Sequence, residues 1–184
     1  MRIGNGVAAP SAPTYDRRMD DDAVRAAEED DLAVLPGIER SADALFAPLG
    51  ITFPPGPLVI EELIGTGARI LVAGRPPAGF AGTVPLDGGV HLEQIAVHAD
   101  AIRRGTGTRL LRAVVAEAER SGAARVSLLT FRDVPWNAPW YARHGFAELP
   151  QAQWGAGLRA HWAAEVAAGL GDLGRRVVMA RACR

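Results

Sequence analysis

The chain has 184 residues, 48% of them hydrophobic and 22% charged, which is the size and composition of one globular domain and excludes a disordered protein. Twenty basic residues stand against 21 acidic ones for a formal net charge of -1, so no overall charge is available to attract nucleic acid or an anionic membrane. All the basic residues are Arg, and the absence of Lys excludes a phosphate-binding loop of the Walker type.

The two ends of the chain carry few structural signals. Residues 1–20 are rich in Gly, Ala, Pro and charge without periodicity, so we predict a disordered leader before a single domain at residues 21–184. The first residues lack both the basic region of an export signal and an apolar run that could span a membrane. The single cysteine, Cys183, cannot form an internal disulfide. Together these features favour a cytoplasmic protein.

The first third of the domain predicts a strand, two helices and a loop. A short alternating stretch predicts a strand at 23–27. Apolar residues spaced by three and four predict a helix at about 31–47, in which Pro36 indicates a kink or a late start. Three prolines make residues 53–57 a loop, and a short helix is expected at about 58–64. These helices should flank a sheet formed by later segments.

The rest of the chain alternates strands and helices. Strands are predicted at 69–73, 80–86, 90–98, 126–131 and 176–180, and helices at 107–121, 137–144 and 158–168. Short turns rich in Gly and Pro make the first three of these strands an antiparallel meander. The helix at 158–168 is an insertion before the last strand. The predicted class is α/β (α+β), with a mixed, mostly antiparallel sheet and flanking helices.

A strand end, a short loop and a helix follow one another between Ile95 and Leu111. Gly105 and Gly107 allow the backbone to approach a ligand closely, and the first amides of the next helix lack partners within it. Such a helix start attracts phosphate, so we predict a pyrophosphate site, with a plain tight turn as the alternative. A Rossmann dinucleotide site is disfavoured, because Leu110 replaces the third glycine and the preceding strands are antiparallel.

Two blocks of sequence resemble the GNAT superfamily of N-acetyltransferases. The first block, Ile102-Arg103-Arg104-Gly105-Thr106-Gly107, is similar to the family's pyrophosphate loop, except that Ile102 stands where the family has Gln or Arg. Binding there would therefore depend on backbone amides and on the neighbouring arginines. The second block has Asn137, Tyr141 and Gly145-Phe146 in register with the family's Asn, three residues, Tyr, three residues, Gly-Phe. The resemblance extends over residues 23–150 and the last strand.

The resemblance implies an acetyl-CoA-dependent N-acetyltransferase that moves the acetyl group directly to a primary amine of a small molecule or peptide. It places the cofactor contacts at the end of a strand, in the glycine loop and at the start of a later helix. These residues are Ile95, Ala96, Val97, Arg103, Arg104, Gly105, Thr106, Gly107, Thr108 and Asn137. It also implies that a backbone amide near Val97 stabilises the oxyanion.

Two residues are expected to transfer protons. Glu93 is the candidate acceptor of the amine's proton, and strand alternation predicts that Glu93, Ile95 and Val97 project on one face. Because an isolated Glu has a pKa of about 4.3, this role requires burial or a relay; a solvated Glu is the alternative. The resemblance makes Tyr141 the acid that protonates the CoA sulfur, with a buried structural Tyr as the alternative.

Other catalytic chemistries find less support. Cys183 is the only thiol and no Gly-x-Ser-x-Gly motif occurs, which disfavours an acetyl-enzyme intermediate. The histidines show neither metal-ligand spacing nor Cys partners, so we predict no metal and interpret them as structural or surface residues. They are His91, His98, His144 and His161.

The acceptor is the least determined part of the prediction. Tryptophan faces bind amines, so four tryptophans are candidate walls of an acceptor pocket, although core packing is favoured for at least two. They are Trp136, Trp140, Trp154 and Trp162. Two alternatives stay open, namely a catalytically weak acyl-CoA-binding module and an acyltransferase that uses a longer acyl chain. We expect no nucleic acid or membrane partner, and a homodimer is one assembly left open.

Overall fold

A seven-stranded sheet forms the centre of residues 23–184, the part of the chain that the computed structural model describes; the predicted leader at 1–20 lies outside it. The strands are β1 (Val24–Ala26), β2 (Arg69–Ala73), β3 (Gly79–Leu86), β4 (Gly89–Val97), β5 (Arg125–Phe131), β6 (Ala147–Glu148) and β7 (Arg176–Ala182). The α-helices are α1 (Glu29–Leu32), α2 (Leu35–Asp43), α3 (Val59–Thr66), α4 (Thr106–Arg120), α5 (Ala138–Arg143), α6 (Ala156–Ala167) and α7 (Leu170–Leu173). Short 3-10 helices lie at Ala44–Leu49, Ala99–Ala101 and Gln151–Gln153.

The strand order is β1-β2-β3-β4-β5-β7-β6. Five of the neighbouring pairs are antiparallel, and only β4 and β5 run parallel. Helix α4 makes the connection between these two strands, since a parallel pair requires a crossover. The predicted mixed, mostly antiparallel sheet with a helical insertion before the last strand is confirmed.

Two local predictions differ from the structure. The helix expected at 31–47 is divided into α1, α2 and a 3-10 segment, because Pro36 lies in the first turn of α2, where its missing amide is tolerated. Strand β6 has no counterpart in the sequence prediction. It has two exposed residues, and it pairs with β7. A strand this short carries no period that a sequence pattern could display.

Apolar residues cover both faces of the sheet. The buried face of α4 packs on one side through Leu110, Leu111 and Val114, together with Leu128 of β5. Helices α2 and α3 cover the other side, where their buried residues meet Phe80 of β3. Amphipathic helices on both faces leave the ends of the central strands as the accessible part of the sheet. No helix within residues 23–184 has the length and apolar character needed to cross a bilayer.

Helix α6 is held at its start by a side chain from a distant turn. The Asp87 carboxylate, between β3 and β4, accepts hydrogen bonds from the amides of Gly157 and Leu158, both at 2.9 Å. These bonds lower the pKa of Asp87 and give α6 the cap that its own sequence lacks. The start of the insertion is thereby fixed to the turn that precedes β4.

Candidate active site

Strands β4 and β5 separate soon after they begin. They pair only at Val90–Val126 and His91–Ser127, yet β4 continues to Val97 and β5 to Phe131. Because the other edges of both strands remain paired with β3 and β7, the separation opens the sheet without unravelling it. Backbone groups along the open edges need other partners, which an extended ligand with amide groups can supply.

The loop from Arg103 to Thr108 lies at the start of α4. Arg103 and Gly105 have left-handed backbone angles, with φ of 61° and 79°, and the loop is exposed through Gly105. Gly105 is the N-cap of α4, and no side chain caps the helix there. The first amides of α4 are consequently available to an anion, as the sequence predicts.

Gly107 lies where the two sequence blocks approach each other. A Cβ atom added at Gly107 would lie 3.7 Å from Cγ2 of Val97 and 3.7 Å from Cζ2 of Trp140. Thr108 Oγ1 lies 3.4 Å from Nε2 of His144, whose Nδ1 is 2.9 Å from the carbonyl oxygen of Trp140. The end of β4, the start of α4 and helix α5 therefore form one continuous surface.

Arg109 braces the loop, a role that the sequence analysis missed. Its guanidinium donates to the carbonyl oxygen of Arg104 at 3.1 Å and to Oγ1 of Thr106 at 3.2 Å. Nothing in the sequence distinguishes Arg109 from other polar residues of a helix. Its two hydrogen bonds form only because the side chain folds back onto the loop, and no sequence motif indicates such a contact. The brace holds the loop in shape before any ligand arrives.

Two aromatic residues of the second sequence block, Tyr141 and Phe146, are buried. Tyr141 is 7% exposed, and its ring makes edge contacts with Trp140 and Phe146 at centroid distances of 4.9 and 5.7 Å. Burial raises the pKa of Tyr141, so its hydroxyl holds its proton and suits a donor better than a base. The Asn137 side chain donates to Oγ1 of Thr130 at 2.7 Å, which ties the start of α5 to β5.

Glu93 occupies a bulge in β4. The register passes from Gly82–Gln94 to Thr83–Leu92, so Glu93 is an extra residue without a partner in β3. The prediction that Glu93 projects with Ile95 and Val97 is wrong, because the bulge interrupts the alternation of side chains. Ile95 and Val97 pack on the core beneath α4, whereas the Glu93 carboxylate reaches helix α6.

Glu93 meets a histidine from the insertion. Its Oε1 lies 2.7 Å from Nε2 of His161, and Nδ1 of His161 lies 3.1 Å from the carbonyl oxygen of Gly157. The ring of His91 is 5.0 Å from that of His161, and its Nδ1 is 2.9 Å from Oγ of Ser127. Two of the histidines predicted to be structural or surface residues thus lie in one cluster with the candidate catalytic carboxylate, which His161 contacts directly.

One turn further along α6 a second ion pair reaches the sheet. Arg176 at the start of β7 donates to both carboxylate oxygens of Glu165, with the Nε–Oε2 distance at 2.8 Å. The Arg176 guanidinium also lies 4.5 Å above the centre of the Phe131 ring at the end of β5. Helix α6 therefore contacts β4 through His161 and β7 through Glu165, and it lies beside the opening.

The four tryptophans lie in different surroundings. Trp140 packs near the glycine loop, and Trp136, 41% exposed, makes an edge contact with Phe46 at 5.4 Å. The rings of Trp154 and Trp162 are 5.1 Å apart and line an open cavity of about 280 Å³. Their predicted part in acceptor binding stays a prediction.

Comparison with known proteins identifies the fold around this opening. Residues 66–148 match the family model described as Acetyltransferase (GNAT) domain. This segment has the sequence of a GNAT acetyltransferase domain. The matched GNAT segment includes Glu93, the glycine loop and Tyr141, whereas the insertion α6 with His161 lies beyond it.

The proteins to which this chain is similar differ in what they act on. The chain is 40% identical over 93 residues to the tRNA(Met) cytidine acetyltransferase TmcA of Aeropyrum pernix; the match covers 50% of this chain and 12% of that protein. The ribosomal-protein-S18-alanine N-acetyltransferase of Escherichia coli aligns at 21% identity and a TM-score of 0.60, over 88% of this chain and 93% of that one.

A third relative was solved with ligands. N-acetylglutamate synthase of Neisseria gonorrhoeae, complexed with coenzyme A and N-acetyl-glutamate, aligns at 18% identity and a TM-score of 0.61, over 88% of this chain and 35% of that one. The structural likenesses confirm the predicted GNAT fold. The chain spans only 12% of the length of the curated relative that it matches.

Proposed function

We propose that the chain binds acetyl-CoA and transfers its acetyl group directly to a primary amine of a small molecule or peptide. The observation that carries this proposal is the separation of β4 from β5 beside an exposed helix start without a capping side chain. The amides from Arg103 to Thr108 would hold the pyrophosphate, and the edge from Ile95 to Val97 would hold the pantetheine arm. Bound there, the cosubstrate supplies a thioester carbonyl.

The residues around the opening can perform the remaining steps. Glu93 accepts the proton that the amine loses as it attacks. A backbone amide near Val97 stabilises the oxyanion, and Tyr141 gives a proton to the departing sulfur. Asn137 orders the start of α5 through Thr130, which keeps Tyr141 in place.

The charge near Glu93 supports a cationic acceptor. Its neighbour Gln94 donates to Oε1 of Glu39 at 3.0 Å, and Asp43 lies one turn further along α2. Burial and the nearby charge of Glu39 raise the pKa of Asp43 to about 6. A region in which the negative charge of one carboxylate disfavours ionisation of a neighbouring carboxyl group attracts a positively charged ammonium group.

The test is turnover of acetyl-CoA with a panel of primary amines, followed by release of free thiol. Wild-type turnover, with losses in Glu93→Gln and Tyr141→Phe while calorimetry shows unchanged CoA binding, would support the enzyme. CoA bound outside the loop from Arg103 to Thr108 in a cocrystal would contradict the assignment. A parallel panel of longer acyl-CoA thioesters measures the acyl chain that the opening accepts.

A binding module without transfer is the second candidate, and one residue favours it. Ile102 is 38% exposed and offers no side-chain donor where the family has Gln or Arg. Tight CoA binding without turnover across the panel would establish this alternative.

An RNA acceptor, suggested by the name of the Aeropyrum relative, finds less support. The net charge of -1 gives little attraction for a polyanion, so we infer an acceptor other than nucleic acid and no membrane partner. Retention of tRNA that weakens steeply with salt would contradict this inference. A homodimer is the assembly that light scattering would test.

A further inference from the structure

We infer that Glu93 and His161 form one proton acceptor, in which Glu93 meets the attacking amine and His161 stores the proton. This inference rests on the proposed function. His161 acts through Glu93 and is therefore a positioning and storage residue.

The hydrogen bonds of His161 determine which nitrogen can titrate. Nδ1 lies 3.1 Å from the carbonyl oxygen of Gly157, and because a carbonyl only accepts, Nδ1 carries a hydrogen. Nε2 is then the atom that gains or loses a proton, and it faces Oε1 of Glu93 at 2.7 Å. A proton on Nε2 is therefore held in a hydrogen bond to the Glu93 carboxylate.

The surroundings favour storage of the proton on His161. Burial lowers the pKa of His161, but the charge and hydrogen bond of Glu93, the Gly157 carbonyl and the charge of Glu165 outweigh burial and raise it. Asp87, in the turn before β4, is a further carboxylate that interacts with His161. His91 stays neutral, since burial lowers its pKa to about 3, so it does not compete for the charge.

This pairing removes the weakness of an isolated carboxylate. A free Glu, with a pKa of about 4.3, is a poor proton acceptor near neutral pH. An imidazole whose pKa is raised is better matched to neutral pH. As the amine nitrogen forms its bond to the carbonyl carbon, its proton passes to the Glu93 carboxylate, which then gives that same proton to the unprotonated Nε2 of His161. The C–S bond breaks, and the sulfur takes its proton from Tyr141, which regains one from solvent.

The same cluster also has ligand types that bind metal. Single atoms of His91, Glu93 and His161 lie within 4.8 Å of one another. However, two ligands about 2.0–2.1 Å from a tetrahedral zinc are separated by roughly 3.3 Å. The 2.7 Å between His161 and Glu93 is the distance of a hydrogen bond, so the geometry fits the pair with the stored proton on Nε2 better than it fits two ligands of one zinc ion.

The experiment measures kcat/KM against pH for the best amine of the panel in His161→Gln and in wild type. We expect a loss of roughly 10- to 100-fold, less than the full contribution of a general base. The acid limb of the wild-type profile should follow the raised pKa of His161, and it should move to lower pH in the variant, which lacks the imidazole. Arg159→Gln, on the same helix, is the control, because Arg159 donates only to the Gln151 carbonyl oxygen.

Two further measurements separate storage from a structural role. Added imidazole should restore part of the turnover of His161→Ala, and not that of Tyr141→Phe. NMR titration should show that the pKa of His161 falls in Glu93→Gln, a result that needs no acceptor.

Three results would overturn the inference. Unchanged turnover and an unchanged acid limb in His161→Gln would do so while leaving the proposed function intact. Turnover that EDTA abolishes and zinc restores would assign the cluster to a metal. Absence of turnover in wild type would overturn the proposed function together with this inference.

Discussion

The two sides of the opening are built in different ways. On the cofactor side, the loop from Arg103 to Thr108 offers backbone amides, and its contacts come from within or near two short sequence blocks. On the acceptor side, Glu93 and His161 meet by side chains that are 68 residues apart in sequence. A site that binds its ligand through backbone amides tolerates substitution of its side chains. A site formed by a pair of side chains is lost when either residue is replaced.

This contrast has a functional consequence. A ligand that many proteins share can be bound by the same backbone shape in each of them. A ligand that differs from protein to protein is bound by side chains that also differ. The insertion α6, which lies outside the matched family segment, contributes its contacts to the acceptor side. The following substitutions test whether the two sides can be separated.

The largest effect is expected from Glu93→Gln. Loss of the proton acceptor should lower turnover by roughly 100-fold or more, because general bases contribute factors of this size. CoA affinity, measured by calorimetry, should remain within about twofold, since Glu93 belongs to the acceptor side. Equal losses of CoA affinity and turnover would show that the two sides are not independent.

Gly105→Val should damage the cofactor side alone. Its φ of 79° disfavours a branched side chain, so the loop should distort and CoA affinity should fall by roughly tenfold or more. Gly122→Val is the matched control, because Gly122 has a φ of 72° at the other end of α4. Both variants should lose similar stability in thermal unfolding, and an equal loss of CoA affinity would remove the loop from the site.

Asp87→Asn should loosen α6 and with it the acceptor side. The variant weakens the cap on Gly157 and Leu158, which should cost roughly 0.5–1 kcal/mol of unfolding free energy, since Asp87 is exposed to solvent. The lowered pKa of Asp87 contributes stability that is present above its unfolded value and is lost as the pH falls through its folded value. The difference between variant and wild type should therefore shrink in acid, which urea unfolding at several pH values can check.

The smallest effect is expected from Asp43→Asn. A carboxyl whose pKa is raised to about 6 destabilises the fold when it is charged, so its removal should add up to about 1 kcal/mol at pH 8. The gain should disappear below the unfolded pKa of about 3.9, where the carboxyl is protonated in both states. If Asp43 also attracts the amine, the KM for the acceptor should rise while CoA affinity is unchanged.

The local structure on the loop side of the opening could largely be predicted from sequence because its signals are local, whereas its binding of a cofactor stays a prediction. Gly105 and Gly107 next to an amphipathic helix indicate an exposed helix start, and Asn137 and Tyr141 keep their spacing on α5. The strands of the meander also follow from alternation and turn residues. Their boundaries agree with the structure to within one residue.

The acceptor side could not be predicted in the same way. The bulge at Glu93 is set by pairing with β3, so alternation along β4 placed its side chain on the wrong face. His161 showed no ligand spacing, because its partner lies on another element. The cap from Asp87 likewise joins positions 70 and 71 residues apart.

The sequence by itself predicted the GNAT fold, the glycine loop at the start of α4 and the alternation of helices and strands, because turns, caps and periodic faces depend on neighbouring residues. Only the tertiary structure decided that β4 and β5 separate after two residue pairs and that Glu93 faces His161. Those contacts join residues far apart in the chain, and their geometry exists only after the sheet and α6 have packed.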